Sequence, residues 1–391
     1  MRQNKGGATL FKTRLFIPGP TPINPEVQKA LSSPMINHRG PEYEALQKEI
    51  VENLKKVFKT SNPIIVFPSA GTGGMEAAIV NFLSPGDKVI CASIGVFGDR
   101  FASIAKAYGA EVVKVDFEWG KAIDPSKLQQ ALDDNPDAKA LLMTHNETST
   151  GVTNDLWAIK EILKEREILW IVDAISSLVA IDLPTDELGV DVVVGGSQKA
   201  FMIPPGLSFL AVSEKALKYA ENAQMPRFYF DIKAMLKSME RNQTPYTPAL
   251  PQLFALREAL RQILEEGLDN VQKRHKQVGE TIRRGIKAIG LKIFADEKFA
   301  SNTVTAIYNP EGVDVRKLRS FLREKFGVVL AGGQGAIQNT VFRIGHLGYV
   351  DVIDALTVLS ALEIGLKVLG YPVELGKGVK AGEEFIAEEV Q

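Results

Sequence analysis

At 391 residues the chain is longer than one compact core usually holds, about 100–200 residues, which implies two domains. With 45% hydrophobic and 24% charged residues it is no disordered or fibrous chain, and a formal net charge of -1 gives no electrostatic basis for nucleic acid or an anionic membrane as partner. Its one cysteine, Cys91, excludes an internal disulfide and a cysteine-rich metal site, so no metal is expected and a reducing cytoplasm is the expected location.

Residues 1–15 read as a flexible arm without the apolar run of a secretory signal. The Pro/Gly-rich knot Pro18-Gly19-Pro20-Thr21-Pro22 follows. Asn24-Pro25 starts a helix, with the asparagine as cap and the proline in the first turn. Pro41 opens another, in which Leu46, Ile50, Leu54 and Val57 recur at helical spacing. From residue 63 short apolar runs alternate with helical patterns. Strands are expected at 64–67, 88–91, 112–115, 140–143, 169–172, 192–194 and 209–212, and helices at 73–83, 97–108, 125–133 and 155–166. This alternation predicts an α/β fold with a mostly parallel sheet between helices, whose ligand lies at the carboxyl ends of the strands. Long helices follow over 250–290. A strand at 303–308, a helix near 314–325, a strand near 340–344 and a helix at 350–369 predict a smaller C-terminal α+β domain. The expected boundaries are an N-terminal arm at 1–23, a large domain at 24–265, a small domain at 266–370 and a loosely held polar tail at 371–391. No uncharged apolar stretch approaches the roughly 18 residues of a membrane helix.

Several strand ends carry residues with chemical potential. Lys199, in Ser197-Gln198-Lys199, lies just past the strand at 192–194, with the rigid Pro204-Pro205-Gly206 turn after it. It reads either as a surface lysine or as a desolvated amine with a lowered pKa, which is what a Schiff-base nucleophile needs. Asp173 ends an apolar strand and reads as a cap or as a buried partner for a protonated pyridine nitrogen. Ser69-Ala70-Gly71-Thr72-Gly73-Gly74 joins strand to helix, where small residues and free N–H groups suit a phosphate. Phe97 suits core packing or stacking on a ring, and Thr148 a polar turn or a hydrogen bond to a ligand. Arg343 sits in an apolar strand and needs an acidic partner, from the protein or from a ligand carboxylate.

In this order the motifs resemble the class V, fold-type-I aminotransferases dependent on pyridoxal phosphate, specifically the alanine–glyoxylate, serine–glyoxylate and serine–pyruvate group. The resemblance runs from Phe16 to Gly370 through Pro18-Gly-Pro-Thr-Pro22, Asn37-His-Arg39, Ala70-Gly-Thr72, Glu147-Thr-Ser-Thr-Gly151, Val172-Asp173, Gly196-Ser-Gln-Lys199, Tyr246-Thr-Pro248 and Arg343-Ile-Gly-His-Leu-Gly348. It implies a seven-stranded sheet and an N-terminal arm contributing to the active site. It implies Lys199 as the lysine that carries the cofactor and moves the proton, with Asp173 on the pyridine nitrogen. Ile175 and Phe97 would cover the two ring faces, and Thr148 would touch the ring hydroxyl. Ala70, Gly71, Thr72 and Gln198 would hold the phosphate. Tyr246 and Thr247 would reach it from the other subunit of a homodimer. Arg343, with backbone near Gly19, would bind the carboxylate of a small amino acid, alanine or serine, or of a 2-oxo acid, glyoxylate or pyruvate. Phosphoserine and aminoethylphosphonate aminotransferases are the alternative readings, and a non-enzymatic α/β binding protein is the reading of another class. Desulfuration is disfavoured, because Cys91 lies in an early strand.

Overall fold

A computed structural model describes residues 12–389. Its strands in chain order are β1 (Arg14–Phe16), β2 (Ile64–Phe67), β3 (Lys88–Ser93), β4 (Glu111–Asp116), β5 (Ala140–Thr144), β6 (Asn146–Glu147), β7 (Val152–Thr153), β8 (Leu169–Asp173), β9 (Val192–Gly196), β10 (Ser208–Val212), β11 (Val304–Tyr308), β12 (Val328–Gly332) and β13 (Val341–Gly345). Seven of them form one sheet in the order β2-β10-β9-β8-β5-β3-β4. Neighbours from β9 to β4 are parallel, and β10 alone runs antiparallel to both β2 and β9.

The apolar runs are continuous because both faces of this sheet are covered. Leu141, Met143 and Val172 point into one core, and the intervening Leu142 and Ile171 into the other. Period-two alternation therefore carries no polar residue, as expected for strands buried on both sides. Helices Gly71–Val80 and Val96–Ala107 each begin just past a strand end, so their N-termini face the same edge as Asp173.

A second sheet, ordered β1-β12-β13-β11, packs one face against helices Leu268–Ala288, Val315–Phe326 and Val352–Val368. Phe342 and Ile344 of β13 join that helix-side core with Ile282, Leu318 and Leu362. Arg343, between them, takes the opposite face, turned towards the large sheet.

Two expectations for the chain ends are corrected. Residues 1–11 of the expected arm lie outside the described residues, but Arg14–Phe16 is not loose. It pairs in parallel with β12, Arg14 opposite Val328, and Phe16 enters the small core. The expected polar tail contains a helix, Lys377–Glu389. The buried Glu363 carboxylate accepts N–H bonds from Gly376 and Gly378, both at 2.6 Å, and from Val379 at 3.3 Å. A carboxylate there satisfies N–H groups that a helix start leaves unpaired. Phe385 packs inward while Glu383, Glu384, Glu388 and Glu389 face solvent, so the acidic face is one side of an amphipathic helix. No helix among the described residues is long and apolar enough to cross a membrane.

Candidate active site

Lys199 lies in the turn after β9, under the segment 18–21. Its Nζ donates to the Pro18 carbonyl. Its own carbonyl accepts from Thr21 Oγ1 at 2.9 Å, and Thr21 N donates to Gln198 O at 3.2 Å. The close approach requires Gly19: its φ is +123°, and a Cβ there would stand 2.8 Å from Lys199 Nζ. Burial lowers the Lys199 pKa to about 8; Asp173 opposes the shift, and Arg343 and Arg100 add to it. The amine is therefore far more often neutral near pH 8 than a surface lysine's.

Asp173 ends β8, 5% exposed. Burial raises its pKa to about 7, against one stabilising hydrogen bond, from Ile175 N to Oδ1 at 2.9 Å. Nearby Glu147 pushes it up further, while Lys199 and Arg100 pull it down. Among the described residues no cationic side chain forms an ion pair with this carboxylate. Ile175, two residues on, is bracketed by glycines. A Cβ on Gly71 would meet its Cδ1 at 2.6 Å, and one on Gly196 its Cγ2 at 3.0 Å.

The turn after β2 ends at Ala70, which begins helix Gly71–Val80 without a side-chain cap, so no side chain takes up its first N–H groups. Thr72 Oγ1 accepts from Arg100 Nη1 at 3.2 Å, and the Arg100 guanidinium lies over the Phe97 ring, 4.7 Å from its centroid. Gln198 Oε1, which a Cβ on Gly196 would approach to 3.7 Å, is buried without a hydrogen-bond partner. An unpaired buried amide oxygen calls for a hydrogen-bond donor.

Arg343, 4% exposed, donates from Nε to Gly332 O at 2.9 Å and from Nη1 to Thr148 O at 3.0 Å. Burial lowers its pKa to about 10. It shares a cleft of about 530 Å³ with Gly19, Phe97, Thr148, Lys199 and Arg319. Behind Phe97, the fully buried Glu147 accepts from Phe97 N at 3.0 Å, Gly98 N at 3.2 Å and Ser149 N at 3.0 Å, which fixes the start of helix Val96–Ala107. Burial raises its pKa, and these bonds oppose the shift.

The fold thus brings Gly19, Phe97, Thr148, Lys199 and Arg343 to one cleft, with Ala70, Gly71, Thr72, Asp173, Ile175 and Gln198 on the strand ends and turns beside it. Tyr246 and Thr247 line a separate cavity with Tyr43, Phe67 and Tyr229, on a loop held by Arg39, which donates to Thr244 O and to Pro245 O at 3.3 Å. Sequence reasoning assigned no role to Glu147, Arg100 or Arg319. Glu147 lay inside a motif already noted, and Arg100 follows Phe97 by one helical turn; Arg319 carried no signal.

The sequence profile of the family described as Aminotransferase class-V matches residues 23–350. The chain is 41% identical over 374 residues to the soluble hydrogenase 42 kDa subunit of Anabaena cylindrica, covering 95% of this chain and 97% of that one. It is 40% identical over 376 residues to the L-aspartate–glyoxylate aminotransferase of Paracoccus denitrificans, covering 95% of each. The crystal structure of alanine–glyoxylate aminotransferase from Nostoc sp. superposes with a TM-score of 0.88 at 30% identity, over 93% of this chain and 98% of that one.

Proposed function

This chain belongs to the class-V aminotransferase family, and from that premise we propose that it moves the amino group of a small amino acid, alanine or serine, to glyoxylate or pyruvate, using pyridoxal phosphate. The observation that carries this reading is the pair at the strand ends, a buried carboxylate and a half-buried amine. Lys199 is a proton-poor amine, and Asp173 is a carboxylate with no cation of its own.

The residues present fit the cofactor. Asp173 would gain its missing cation from a protonated ring nitrogen. Ile175 and Phe97 would cover the two faces of the ring, and Thr148 would meet its hydroxyl. The uncapped N-terminus after Ala70, with Gly71, Thr72 and the side-chain NH2 of Gln198, would hold the phosphate. Bound pyridoxal phosphate supplies an electron sink for the pair left on the donor's α-carbon. Lys199 Nζ takes the proton from that carbon and returns it on the other side of the exchange. Arg343 grips the α-carboxylate and fixes which bond stands over the ring. The segment 18–21 covers one side of the amine.

Tyr246 and Thr247 line a different cavity of their own chain, and the exposed Phe228 and Tyr229 stand beside them. This supports a homodimer in which each subunit lends the pair to the other's phosphate site. A reducing, cytoplasmic location rests on the single buried Cys91.

The test is a visible spectrum of the purified protein during addition of L-alanine or L-serine. A yellow band that bleaches supports the reading, and a protein that stays colourless after added pyridoxal phosphate overturns it. Lys199→Ala should abolish turnover; near-normal steady-state rates in that variant would remove the proposed mechanism.

A further inference from the structure

A hydroxyl of the proposed phosphate site is held by an arginine that has no task yet. Thr72 lies in the first turn of helix Gly71–Val80, and its Oγ1 accepts from Arg100 Nη1 at 3.2 Å. A threonine hydroxyl has one proton to give, and with a lone pair taken by the guanidinium that proton is left to point elsewhere. Among the described residues it donates to no acceptor, and Arg100 makes no second hydrogen bond. Thr72 is exposed, so a ligand can reach it.

Arg100 is placed by its own helix. It follows Phe97 by three positions in Val96–Ala107, so the two side chains are neighbours, and the guanidinium lies over the Phe97 ring. Asp99, next in the chain, is not its partner. That carboxylate pairs with Lys114 at 2.7 Å and accepts from Ser93 Oγ at 2.6 Å. Among the described residues no carboxylate forms an ion pair with Arg100. Its charge nevertheless reaches the strand ends: burial dominates there, raising the pKa of Asp173 and lowering that of Lys199, and Arg100 adds a downward pull on each. A half-buried guanidinium without a counter-ion, bonded to the first turn of a helix, favours an anion at that place.

We infer that Arg100 is a positioning residue for the cofactor phosphate: by donating to Thr72 it turns that hydroxyl's proton to the phosphate, and its unpaired charge adds to the neutralisation of the dianion. The inference rests on the pyridoxal phosphate reading and deepens it. Phe97 then has two tasks, one for each face of its ring, since it carries the guanidinium on one and covers the cofactor with the other. The contribution of Arg100 is felt through the phosphate and not through the pyridine ring.

The cofactor-free protein should be titrated with pyridoxal phosphate and with pyridoxal, which differ in the phosphate alone, by following the visible band. Arg100→Met keeps a long side chain against the Phe97 face and removes the charge and the N–H groups. It should weaken pyridoxal phosphate about tenfold or more, the range of a hydrogen bond to a charged group, and pyridoxal less than about twofold. Arg100→Gln, which removes the charge with another unbranched helix former, should show the same contrast and serves where the methionine variant does not fold. Thr72→Val tests the route. With Arg100 acting through the hydroxyl, the double variant Thr72→Val with Arg100→Met should lose less affinity than the product of the two single losses. An equal loss of both compounds, in a variant that melts at the native temperature when cofactor-free, overturns the inference, because a residue that merely held Phe97 in place would act on the ring. Losses that multiply in the double variant overturn the route through Thr72. If neither compound gives the native protein a visible band, the cofactor reading itself fails and this inference falls with it.

Discussion

At the carboxyl end of the seven-stranded sheet, Asp173 is buried and Lys199 half-buried, with no opposite charge in bonding range. Under the four-stranded sheet, by contrast, Glu363 takes three backbone N–H bonds. His275 there bonds Val271 O at 2.7 Å through Nδ1 and accepts from Gly348 N at 2.9 Å through Nε2. An uncompensated buried charge weakens a fold, whereas a satisfied one joins its segments. The first region is therefore shaped for a partner from outside the chain, and the second is complete in itself. Substitutions in the two regions should separate function from stability.

Asp173→Asn should have the largest effect. It removes the counter-charge of the ring nitrogen, and kcat should fall on the order of 10³-fold, the range of one lost preorganised electrostatic contact. The cofactor-free variant should be no less stable than the native protein near pH 7.5, by thermal melting. A variant with native kcat would break the comparison from one side. Arg343→Ala comes next. It should raise the KM for the amino acid by about 10–100-fold, as expected for a charged hydrogen-bonded contact, with cofactor affinity retained; an unchanged KM would move the carboxylate site elsewhere. Glu363→Ala should lower unfolding stability by about 1–3 kcal/mol in urea, because it leaves the N–H groups at the start of helix Lys377–Glu389 unpaired. Its KM should not change. A Glu363 variant that lost substrate affinity at native stability would break the comparison from the other side.

The strand ends were legible because strands buried on both faces read as unbroken apolar runs, and a charged residue closing such a run stands out. Asp173 stood out in this way, Lys199 did so a few residues past the end of such a run, and Arg343 between Phe342 and Ile344. What the sequence hid depends on distant partners. β1 is three residues long and is a strand only because β12, more than half the chain away, pairs with it. The helix at 377–389 starts where it does because Glu363 meets its first N–H groups. Arg319 belongs to the segment Val315-Arg-Lys-Leu-Arg-Ser-Phe-Leu-Arg-Glu-Lys-Phe326, where charge is everywhere. Only the docking of that helix against β12 singles out one arginine. Tyr246 and Thr247 were read from family resemblance, and a single chain holds them away from Lys199.

The smallest effect is a pH dependence of the cofactor-free protein. Asp173 has a folded pKa of about 7, raised from the ordinary 3.8. Its protonated form is therefore favoured by folding. That contribution is fully present below pH 3.8 and is lost as pH rises through 7. Lys199, lowered from 10.5 to about 8, acts in the other arm, where stability recovers as pH rises from 8 towards 10.5. The buried histidines oppose Asp173 in acid. His145 is held near 4 and His275 near 3 by burial, so each contributes stability that is present above 6.5 and lost as pH falls. A single melting curve against pH mixes these terms, but the difference between native protein and Asp173→Asn isolates one. The variant's advantage near pH 7.5 should shrink steadily as pH falls to 5, since the native carboxylate takes up the proton that the amide does not need. Adding pyridoxal phosphate should reverse the order at pH 7.5, because the ring nitrogen then supplies the cation that only the native carboxylate can pair with. A difference that stays constant with pH would mean that Asp173 is already paired within the chain, and its side of the comparison would move to the satisfied region.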